Sequence, residues 1–427
     1  MPTWLMLIQI FTSIALISVV LFQSRKAGQG GGIFGGGTFA DHRGRKGKEV
    51  LLLKITTAIA ILFMLSSILI SIYRLAKGYK IVMEQFIYST AEIKRYKIDP
   101  DRKLFSANHD EIEKGLTTDI YFIRALEILK HLKLDNTDVT AEIFARRKGV
   151  FAGAQEAFNL LKEKNICLWS LQEGDSFEPK ETVMRIQGSY NEFGIFETVI
   201  LGILSSSSAW ATAARTCRDV AHGKKIICFG SRHIHPSVAP VMERAAIVGG
   251  IDGASCVLGA KLMGQEPQGT IPHTVIIISG DTVKAAKAYH KCSSKDIPRV
   301  ILIDTFKDEA EESIRVANAL GKDLLGVRLD TPSERGGVSV DLVREVRARL
   351  DQAGFPHVKI FVSGGVTPER INLLSQEAVD AFGVGSYISD ASPIDMTLDI
   401  KEVEGKPIAK RGRIPGKIEN KKLVKLI

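Results

Sequence analysis

The stretch FVSGGVTPERINLLSQEAVDAFGVGS, residues 361–386, contains two apolar runs that each meet a glycine-rich end. Between them lies a helical segment that begins at Thr367-Pro368. An apolar run, a glycine turn, a helix and a second apolar run form the repeating unit of a parallel sheet that is covered on both faces. The stretch therefore predicts an α/β fold whose functional edge lies at the glycines.

The same alternation extends towards the amino terminus. Apolar runs that predict buried strands are separated by helical segments rich in Ala, Glu, Lys and Arg. These runs are Lys225–Phe229, Val275–Ser279, Arg299–Thr305, Leu324–Thr331, Val358–Gly365 and Ala381–Ile388. Such a series predicts an α/β barrel, which need not be fully closed, with polar residues of the site at the carboxyl ends of its strands.

Small residues at the ends of the last two strands are candidates for binding a phosphate. They let backbone amides approach an anion closely, and a helix begins after each of them. Two adjacent glycine turns favour phosphate binding over plain tight turns. The candidates are Ser363, Gly364, Gly365, Gly383, Gly385 and Ser386.

Three charged or titratable residues are further candidates. Arg328 and Asp330 are two residues apart on a predicted strand and so lie on one side of it. The pair suits a phosphate contact and a ribose or Mg²⁺ ligand, and a surface ion pair explains it equally well. His273 in GTIPHTVIII, residues 269–278, lies between a glycine-led turn and a predicted buried strand. A lone histidine there is more often a satisfied core residue than a functional one.

Two uncharged apolar segments near the amino terminus, Trp4–Phe22 and Ile55–Tyr73, have the length of membrane spans. Positions 23–50 of the glycine-rich loop between them hold six Lys or Arg residues and two acidic residues. Basic loops stay in the cytoplasm, so this pattern predicts that both ends, and everything after Gly78, lie outside. We expect a membrane module at residues 1–78.

Length and composition predict a soluble body after this module. The 427 residues exceed one average domain, and from Met83 onward we expect no segment that is long and apolar enough to span a bilayer. Much of the net charge of +9 lies in the loop and in the tail after Lys401, without interleaved aromatics, so no nucleic-acid partner is predicted. The five cysteines form no CxxC pair and predict neither a zinc site nor a disulfide framework. Residues 205–223, SSSSAWATAARTCRDVAHG, predict Ser/Thr capping before an amphipathic helix.

Two resemblances account for these patterns. Leu21–Ser24, Gly30–Gly32 and Phe34–Phe39, set between two spans, resemble SecG, the small subunit of the bacterial protein-export translocon. That resemblance makes the Sec translocon a candidate partner. From about Glu84 to beyond Ile388 the chain resembles the nicotinate phosphoribosyltransferase family, through GLTTDIYF, EGDSFEP, FGSRHIHP, GIDGASCVLGAKLMG, GTIPHT, LIDTFKD, GVRLDTPSERGG, FVSGG and FGVGS.

The second resemblance implies an α/β sandwich domain at residues 84–204 plus 392–427, an irregular α/β barrel of the type II phosphoribosyltransferases at residues 205–391, and a homodimer. It implies that nicotinate and 5-phosphoribosyl-1-diphosphate react to give nicotinate mononucleotide and pyrophosphate. It further implies Mg²⁺ as cofactor and ATP as co-substrate, with a phosphorylated histidine at the position of His273. Ile271-Pro272 stands where Met-Ala is frequent in that family.

The resemblance also implies a role for each remaining candidate. Tyr121 and Phe229 correspond to two aromatic residues that stack on the pyridine ring, and Arg232 would face a carboxylate or phosphate. Ser255 would donate a hydrogen bond to the nicotinate carboxylate, at a position where related amide-using enzymes carry aspartate. Asp304, Arg328 and Asp330 would hold ribose, diphosphate and Mg²⁺, with Asp330 as the metal ligand.

Two alternatives stay open at this point. Quinolinate phosphoribosyltransferase shares the architecture, although the Arg-Lys-Thr and His-Arg signatures of that family are not visible here. The chain could also be a SecG-type export subunit with an enzyme-like passenger. Phosphoribosyl diphosphate is cytosolic, so a cytoplasmic enzyme body conflicts with the predicted orientation in the plasma membrane. Inverted spans, a reading frame joining two genes, or a second start at Met83 would each resolve the conflict, and we favour the last two.

Overall fold

The computed structural model describes residues 7–18, 54–71 and 87–427 of the chain. The chain divides into two compact units, Met1–Phe86 and Ile87–Ile427. The first unit contains α1 (Leu7–Ser18) and α2 (Lys54–Ser71), and α2 is long and apolar enough to cross a membrane. The Gln9 amide of α1 donates a hydrogen bond of 2.8 Å to the Ser67 hydroxyl of α2. The two helices overlap the predicted spans, whose remaining residues and basic loop lie outside the described residues.

The second unit begins with short helices and then alternates strands and helices. Its first elements are α3 (Thr90–Arg95), α4 (His109–Glu113), α5 (Ile120–His131), β1 (Asp138–Ala145), β2 (Gly149–Val150), α6 (Ala154–Leu161), β3 (Ile166–Ser170), β4 (Ser176–Phe177), β5 (Thr182–Ser189), α7 (Tyr190–Phe193) and α8 (Glu197–Asp219).

A βα alternation follows. These elements are β6 (Lys225–Cys228), α9 (Ala239–Val248), β7 (Gly253–Ala254), α10 (Val257–Leu262), α11 (His273–Ser279), α12 (Thr282–Cys292), β8 (Val300–Leu302), α13 (Glu309–Leu320), β9 (Gly326–Leu329), α14 (Val340–Gln352), β10 (Lys359–Val362), α15 (Pro368–Leu374), β11 (Ala381–Val384), α16 (Ser386–Ser389), β12 (Met396–Val403), β13 (Lys406–Pro407) and β14 (Val424–Lys425).

An antiparallel sheet forms one half of the second unit. Its strand order is β13-β12-β1-β5-β3-β14, so the carboxy-terminal strands pair with strands from the start of the unit. Ile143, Leu168 and Ile186 of this sheet are fully buried in one apolar cluster with residues of α6 and α8. The sheet and the helices that cover it form the predicted α/β sandwich. The predicted domain bounds, 84–204 with 392–427 and 205–391, stay a prediction.

Helix α8 differs from expectation in two ways. The serines at 205–208 lie inside the helix and not at its cap, because the chain is already helical from Glu197. Ser208 is buried, and its hydroxyl accepts a hydrogen bond of 3.2 Å from the backbone amide of Ala152. The helical stretch Tyr190–Asp219 is also long and apolar enough to span a membrane, although 61% of its most apolar window is buried in the fold. The prediction of no further span-length segment was therefore wrong, since a core helix meets the same criterion.

A parallel sheet with the order β7-β6-β11-β10-β9-β8 forms the other half. Five of the six predicted strand runs contain its strands β6, β8, β9, β10 and β11. The predicted strand at Val275–Ser279 was wrong, because these residues belong to helix α11. Gly280, at φ +77°, ends this helix in the left-handed conformation that glycine adopts without strain.

The place of α11 explains why the barrel is open. The edge strands of the parallel sheet are β7 and β8, and the chain between them forms α10, α11 and α12. No strand of the described part of the chain closes the gap between these edges. The irregular α/β barrel that the sequence predicts is confirmed, and its irregularity lies at this gap.

Strand register brings the polar strand ends together. Leu329 pairs with Val362, Val362 with Phe382, and Val384 with Cys228. Parallel strands in this register end at one edge of the sheet. The residues that follow β6, β9, β10 and β11 therefore surround a common space.

Candidate functional site

A cavity of about 350 Å³ lies at this edge of the parallel sheet. Eleven of the fourteen predicted site residues line it: Phe229, Arg232, Ser255, Arg328, Asp330, Ser363, Gly364, Gly365, Gly383, Gly385 and Ser386. His233, Gly269 and Thr270 also line it and were not predicted. Predictions drawn from separate strand ends thus converge on one pocket.

Glycines make room at one end of the pocket. Gly364 and Gly365 have φ values of +82° and +58°, a conformation that side chains rarely adopt. A Cβ atom at Gly364 would come within 2.9 Å of Asp330 Oδ1, and one at Gly383 within 2.4 Å of the Phe229 ring. The Ser363 hydroxyl donates a hydrogen bond of 2.8 Å to Asp330 Oδ1. This end presents backbone and small hydroxyl groups, which suits a phosphate.

His273 lies beside the pocket at the start of α11. Its Nε2 atom is 3.5 Å from Asp330 Oδ2 and 3.7 Å from Asp304 Oδ2, and its Nδ1 atom is 3.2 Å from the Thr305 hydroxyl. The Thr305 hydroxyl therefore lies within hydrogen-bond distance of one ring nitrogen, two carboxylates lie near the other, and 38% of the side chain is exposed. A core histidine would be buried, so this arrangement favours a functional role.

Asp304 is a buried carboxylate without a hydrogen-bond donor. Neither of its side-chain oxygens has a hydrogen-bond partner within the described residues. Burial raises the pKa of Asp304 above its ordinary value, and the nearby His273 opposes this shift. A cation between Asp304 and Asp330 would satisfy these oxygens, and carboxylate oxygens are ligands that Mg²⁺ prefers.

Arg328 supplies a mostly buried positive charge beside Asp330. Its guanidinium lies 5.9 Å from the Phe229 ring centre and 3.4 Å from Asp330 Oδ2, and it donates to the Thr270 hydroxyl. Burial lowers the pKa of Arg328, and the carboxylates of Asp330 and Asp304 oppose that shift. Arginine stays charged in proteins, so the pocket presents a fixed cation beside an aromatic face.

Glu243 is a site residue that sequence reasoning missed. This carboxylate of α9 is fully buried and accepts hydrogen bonds from the hydroxyls of Ser231 (2.6 Å) and Ser255 (3.0 Å) and from the amide of Cys256 (2.6 Å). The contact with Ser255 differs from the expectation that this hydroxyl donates to a substrate. An acid in the apolar stretch VMERAAIV was the available sequence signal.

His233 was missed as well. Its Nδ1 atom is 3.3 Å from the Ser389 hydroxyl, and its Nε2 atom is 3.3 Å from Nε of Arg232. A Cβ atom at Gly385 would come within 2.8 Å of its ring. The imidazole therefore connects Arg232 with the chain segment that follows β11. Its signal was the HIH of FGSRHIHP.

Tyr121 is not brought to the pocket within the single chain. It is the second residue of α5, its side chain is 58% exposed, and its ring lies 4.2 Å from that of Phe122. It is absent from the residues that line the cavity. The stacking of Tyr121 on a ring in the pocket therefore stays a prediction.

Residues 119–208 and 210–399 match the N-terminal and C-terminal domains of quinolinate phosphoribosyl transferase. Residues 2–87 match the preprotein translocase SecG subunit. A nicotinate-nucleotide pyrophosphorylase from Pyrococcus furiosus is 46% identical, with a TM-score of 0.71 over 74% of this chain and 82% of that chain. The chain belongs to the nicotinate and quinolinate phosphoribosyltransferases. The resemblances to this family and to SecG are both confirmed.

Two further relatives place the phosphoribosyltransferase within its family. A nicotinate phosphoribosyltransferase of Mycobacterium tuberculosis is 28% identical over 342 residues, which is 70% of this chain and 74% of the relative. Human nicotinic acid phosphoribosyltransferase is 19% identical and has a TM-score of 0.59 over 70% of this chain and 77% of that chain. The human protein therefore shares the fold. The names of the relatives divide between two activities, so the substrate must be argued from the pocket.

Proposed function

We propose that this phosphoribosyltransferase transfers the 5-phosphoribosyl group from phosphoribosyl diphosphate to nicotinate, forming nicotinate mononucleotide and pyrophosphate for NAD salvage. The observation that carries the proposal is the composition of the pocket. A glycine cradle and an aromatic face under an arginine line one cavity, and a histidine close to two carboxylates lies beside it. The names of the Mycobacterium tuberculosis relative and of the human structure support this assignment.

The reaction breaks the bond between the anomeric carbon and the diphosphate oxygen and forms a bond to the pyridine nitrogen. In our proposal the 5-phosphate lies against Ser363–Gly365 and Gly383–Ser386, which fixes the ribose. The pyridine stacks on Phe229, and Arg328 stabilises the diphosphate charge that grows as the bond breaks. The pyridine nitrogen already carries a lone pair, so the attack needs no general base.

Asp304 and Asp330 are the residues that would hold Mg²⁺. The oxygens of buried Asp304 have no hydrogen-bond partner within the described residues and fit a cation, and Asp330 lies near the same Nε2 atom of His273, at 3.5 Å. A bound Mg²⁺ would neutralise diphosphate charge. Asp330 also accepts from Ser363 and thereby links the phosphate cradle to the carboxylates.

ATP coupling through His273 is the finer part of the proposal. The γ-phosphoryl group of ATP passes to a ring nitrogen of His273, with loss of the ring proton and release of ADP. Hydrolysis of the phosphohistidine later releases inorganic phosphate. The added charge beside Asp304 and Asp330 would alter the binding of the diphosphate and so drive the cycle.

Quinolinate is the rival substrate, and the name of the Pyrococcus furiosus relative favours it. Quinolinate carries a second carboxylate and so requires more positive charge. The cavity is lined by two arginines and one histidine, and no lysine of the described residues lines it. This small number of cationic side chains favours nicotinate, which carries a single carboxylate.

The test uses the full chain in detergent, with nicotinate, quinolinate or nicotinamide, phosphoribosyl diphosphate and Mg²⁺, with and without γ-labelled ATP. We expect nicotinate mononucleotide, stimulation by ATP, and protein label that His273→Ala abolishes. His290→Ala is the matched control, because His290 lies outside the pocket and also faces a carboxylate, at 4.0 Å from Asp323. Turnover of quinolinate alone, indifferent to ATP, would overturn the assignment.

A homodimer is part of the proposal because Tyr121 is exposed in the single chain. A second copy would supply Tyr121 to the pocket that holds Phe229. If so, a mixture of the inactive variants Tyr121→Ala and Phe229→Ala regains activity, because a mixed dimer contains one intact site. Random assortment predicts recovery of about a quarter of normal activity. No recovery after subunit exchange would show that the two residues act within one chain.

The membrane segment is proposed to contact the Sec translocon while the enzyme body stays in the cytoplasm. The substrates of the body are phosphorylated and cytosolic, which supports this side of the membrane. The two favoured explanations are a reading frame that joins two genes and a second translation start at Met83. Immunodetection of the native protein tests them, since both predict a separate enzyme body that begins near Met83. Detection of a full-length, membrane-bound product alone would contradict both.

A further inference from the structure

Glu243 is buried next to the pocket. The adjacent Arg244 forms its ion pair with Glu173 and not with Glu243. Its oxygens receive three donors: Ser231 and Ser255 at Oε1, and the Cys256 amide at Oε2. A carboxylate anion accepts hydrogen bonds and donates none. Three donors at two oxygens therefore satisfy the anion, as a buried carboxylate requires.

This arrangement decides what Ser255 can offer to a ligand. A hydroxyl has one proton and two lone pairs. The proton of Ser255 points to Glu243, so the face that Ser255 turns to the cavity carries lone pairs. Lone pairs repel a carboxylate and accept from the N–H of a carboxamide. The affinity for a carboxylate must then come from the arginines of the pocket.

We infer that Glu243 is a positioning residue that fixes Ser255 as a hydrogen-bond acceptor and thereby sets the balance between pyridine carboxylates and pyridine carboxamides. The inference rests on the proposed function, because it assumes that a pyridine binds beside Ser255. Glu243 acts through Ser255 and touches no ligand itself.

The isosteric substitution Glu243→Gln reverses this polarity. With the amide oxygen at the position of Oε2, it still accepts from the Cys256 amide. The NH₂ group then replaces Oε1 and carries two protons, one for each serine hydroxyl. Ser255 would accept from this group and turn its own proton to the cavity, where it can donate to a carboxylate.

The experiment is calorimetric titration of the full chain in detergent with nicotinate and, separately, with nicotinamide. We expect Glu243→Gln to raise the ratio of nicotinate to nicotinamide affinity about tenfold, as one gained charged hydrogen bond predicts. The rise should vanish when Ser255→Ala is added. Ser231→Ala is the control, because Ser231 contacts the same oxygen outside the cavity lining, and it should leave the ratio unchanged.

Ser255→Ala alone gives an independent test that does not depend on the glutamine variant. If Ser255 is an acceptor, its removal weakens nicotinamide and spares nicotinate. Weakened nicotinate would show that Ser255 donates and would overturn the inference, as would an unchanged ratio in folded Glu243→Gln. Failure of the unaltered protein to bind or convert any pyridine would instead contradict the proposed function.

Discussion

Two four-residue apolar runs, Val275–Ile278 and Val300–Ile303, have nearly the same composition and form different secondary structures. The second run, VILI, is almost wholly buried and contains strand β8, which pairs with β9. The first run, VIII, lies in helix α11, and only Ile276 of its four side chains is buried. A run of β-branched residues therefore becomes a strand where a neighbouring strand is available to pair with it.

This difference has a functional consequence. The buried run is followed directly by Asp304 and Thr305, and the helix that contains the other run begins at His273. The contacts of His273 with Asp304 and Thr305 therefore connect the start of helix α11 with the residues that follow strand β8. An open barrel thus allows a histidine on a surface helix to reach carboxylates at the end of a strand.

The largest expected effect lies in the buried run. Ile301 has no exposed surface, so Ile301→Ala leaves a cavity in the core of the parallel sheet. We expect a loss of about 3 kcal/mol in the free energy of unfolding. Urea denaturation of the full chain in detergent, followed by far-ultraviolet circular dichroism, measures it. A loss below about 1 kcal/mol would remove the contrast between the two runs.

The sequence predicted β8 and four other strands of the parallel sheet because apolar runs are local signals, and β10 and β11 are also marked by glycines after them. It also predicted that glycines at the ends of the last two strands lie at the site, and Gly364 and Gly383 are required there by the close approach of Asp330 and Phe229. It could not predict α11, because strand pairing is decided by distant residues. Glu243 was missed for the same reason, since its donors come from other parts of the chain.

The next effect concerns the contact between the runs. Thr305→Val keeps the shape of the side chain and removes the hydroxyl that lies 3.2 Å from His273 Nδ1. If the proposed coupling through His273 operates, we expect ATP stimulation to fall about tenfold, the effect of one oriented hydrogen bond. Thr305→Ser retains the hydroxyl and should retain the stimulation. Initial rates with and without ATP give the measurement, and equal stimulation in both variants would separate Thr305 from the coupling.

Asp304 gives a smaller effect of opposite sign. Burial raises its pKa above the ordinary 3.8, so the folded chain binds its proton more tightly than the unfolded chain. Its ionisation therefore costs stability as the pH rises through the folded pKa. We expect Asp304→Asn to be about 1 kcal/mol more stable at pH 7, and this gain to disappear towards pH 3.8.

Activity supplies the second readout for this substitution. If Asp304 binds the cation of the reaction, Asp304→Asn loses turnover while it gains stability. Thermal unfolding at several pH values and initial rates at several Mg²⁺ concentrations test the two halves separately. If Asp304→Asn were instead less stable than the unaltered protein at pH 7, the Asp304 carboxylate would already be satisfied by a hydrogen-bond donor.

The smallest effect is expected on the outer face of α11, and it separates the helix from the strand that its composition suggested. In a strand Ile276 and Ile278 would share a face, whereas in a helix two residues so spaced point to different sides. Ile276 is fully buried and Ile278 is 81% exposed. We expect Ile278→Ser to change the free energy of unfolding by less than about 0.5 kcal/mol and Ile276→Ser to lower it by several times as much. Equal losses at both positions would contradict a helix with one buried face and would favour a strand for this run. A strand there would lie in the gap between β7 and β8, and His273 would lack the helix that places it beside the carboxylates.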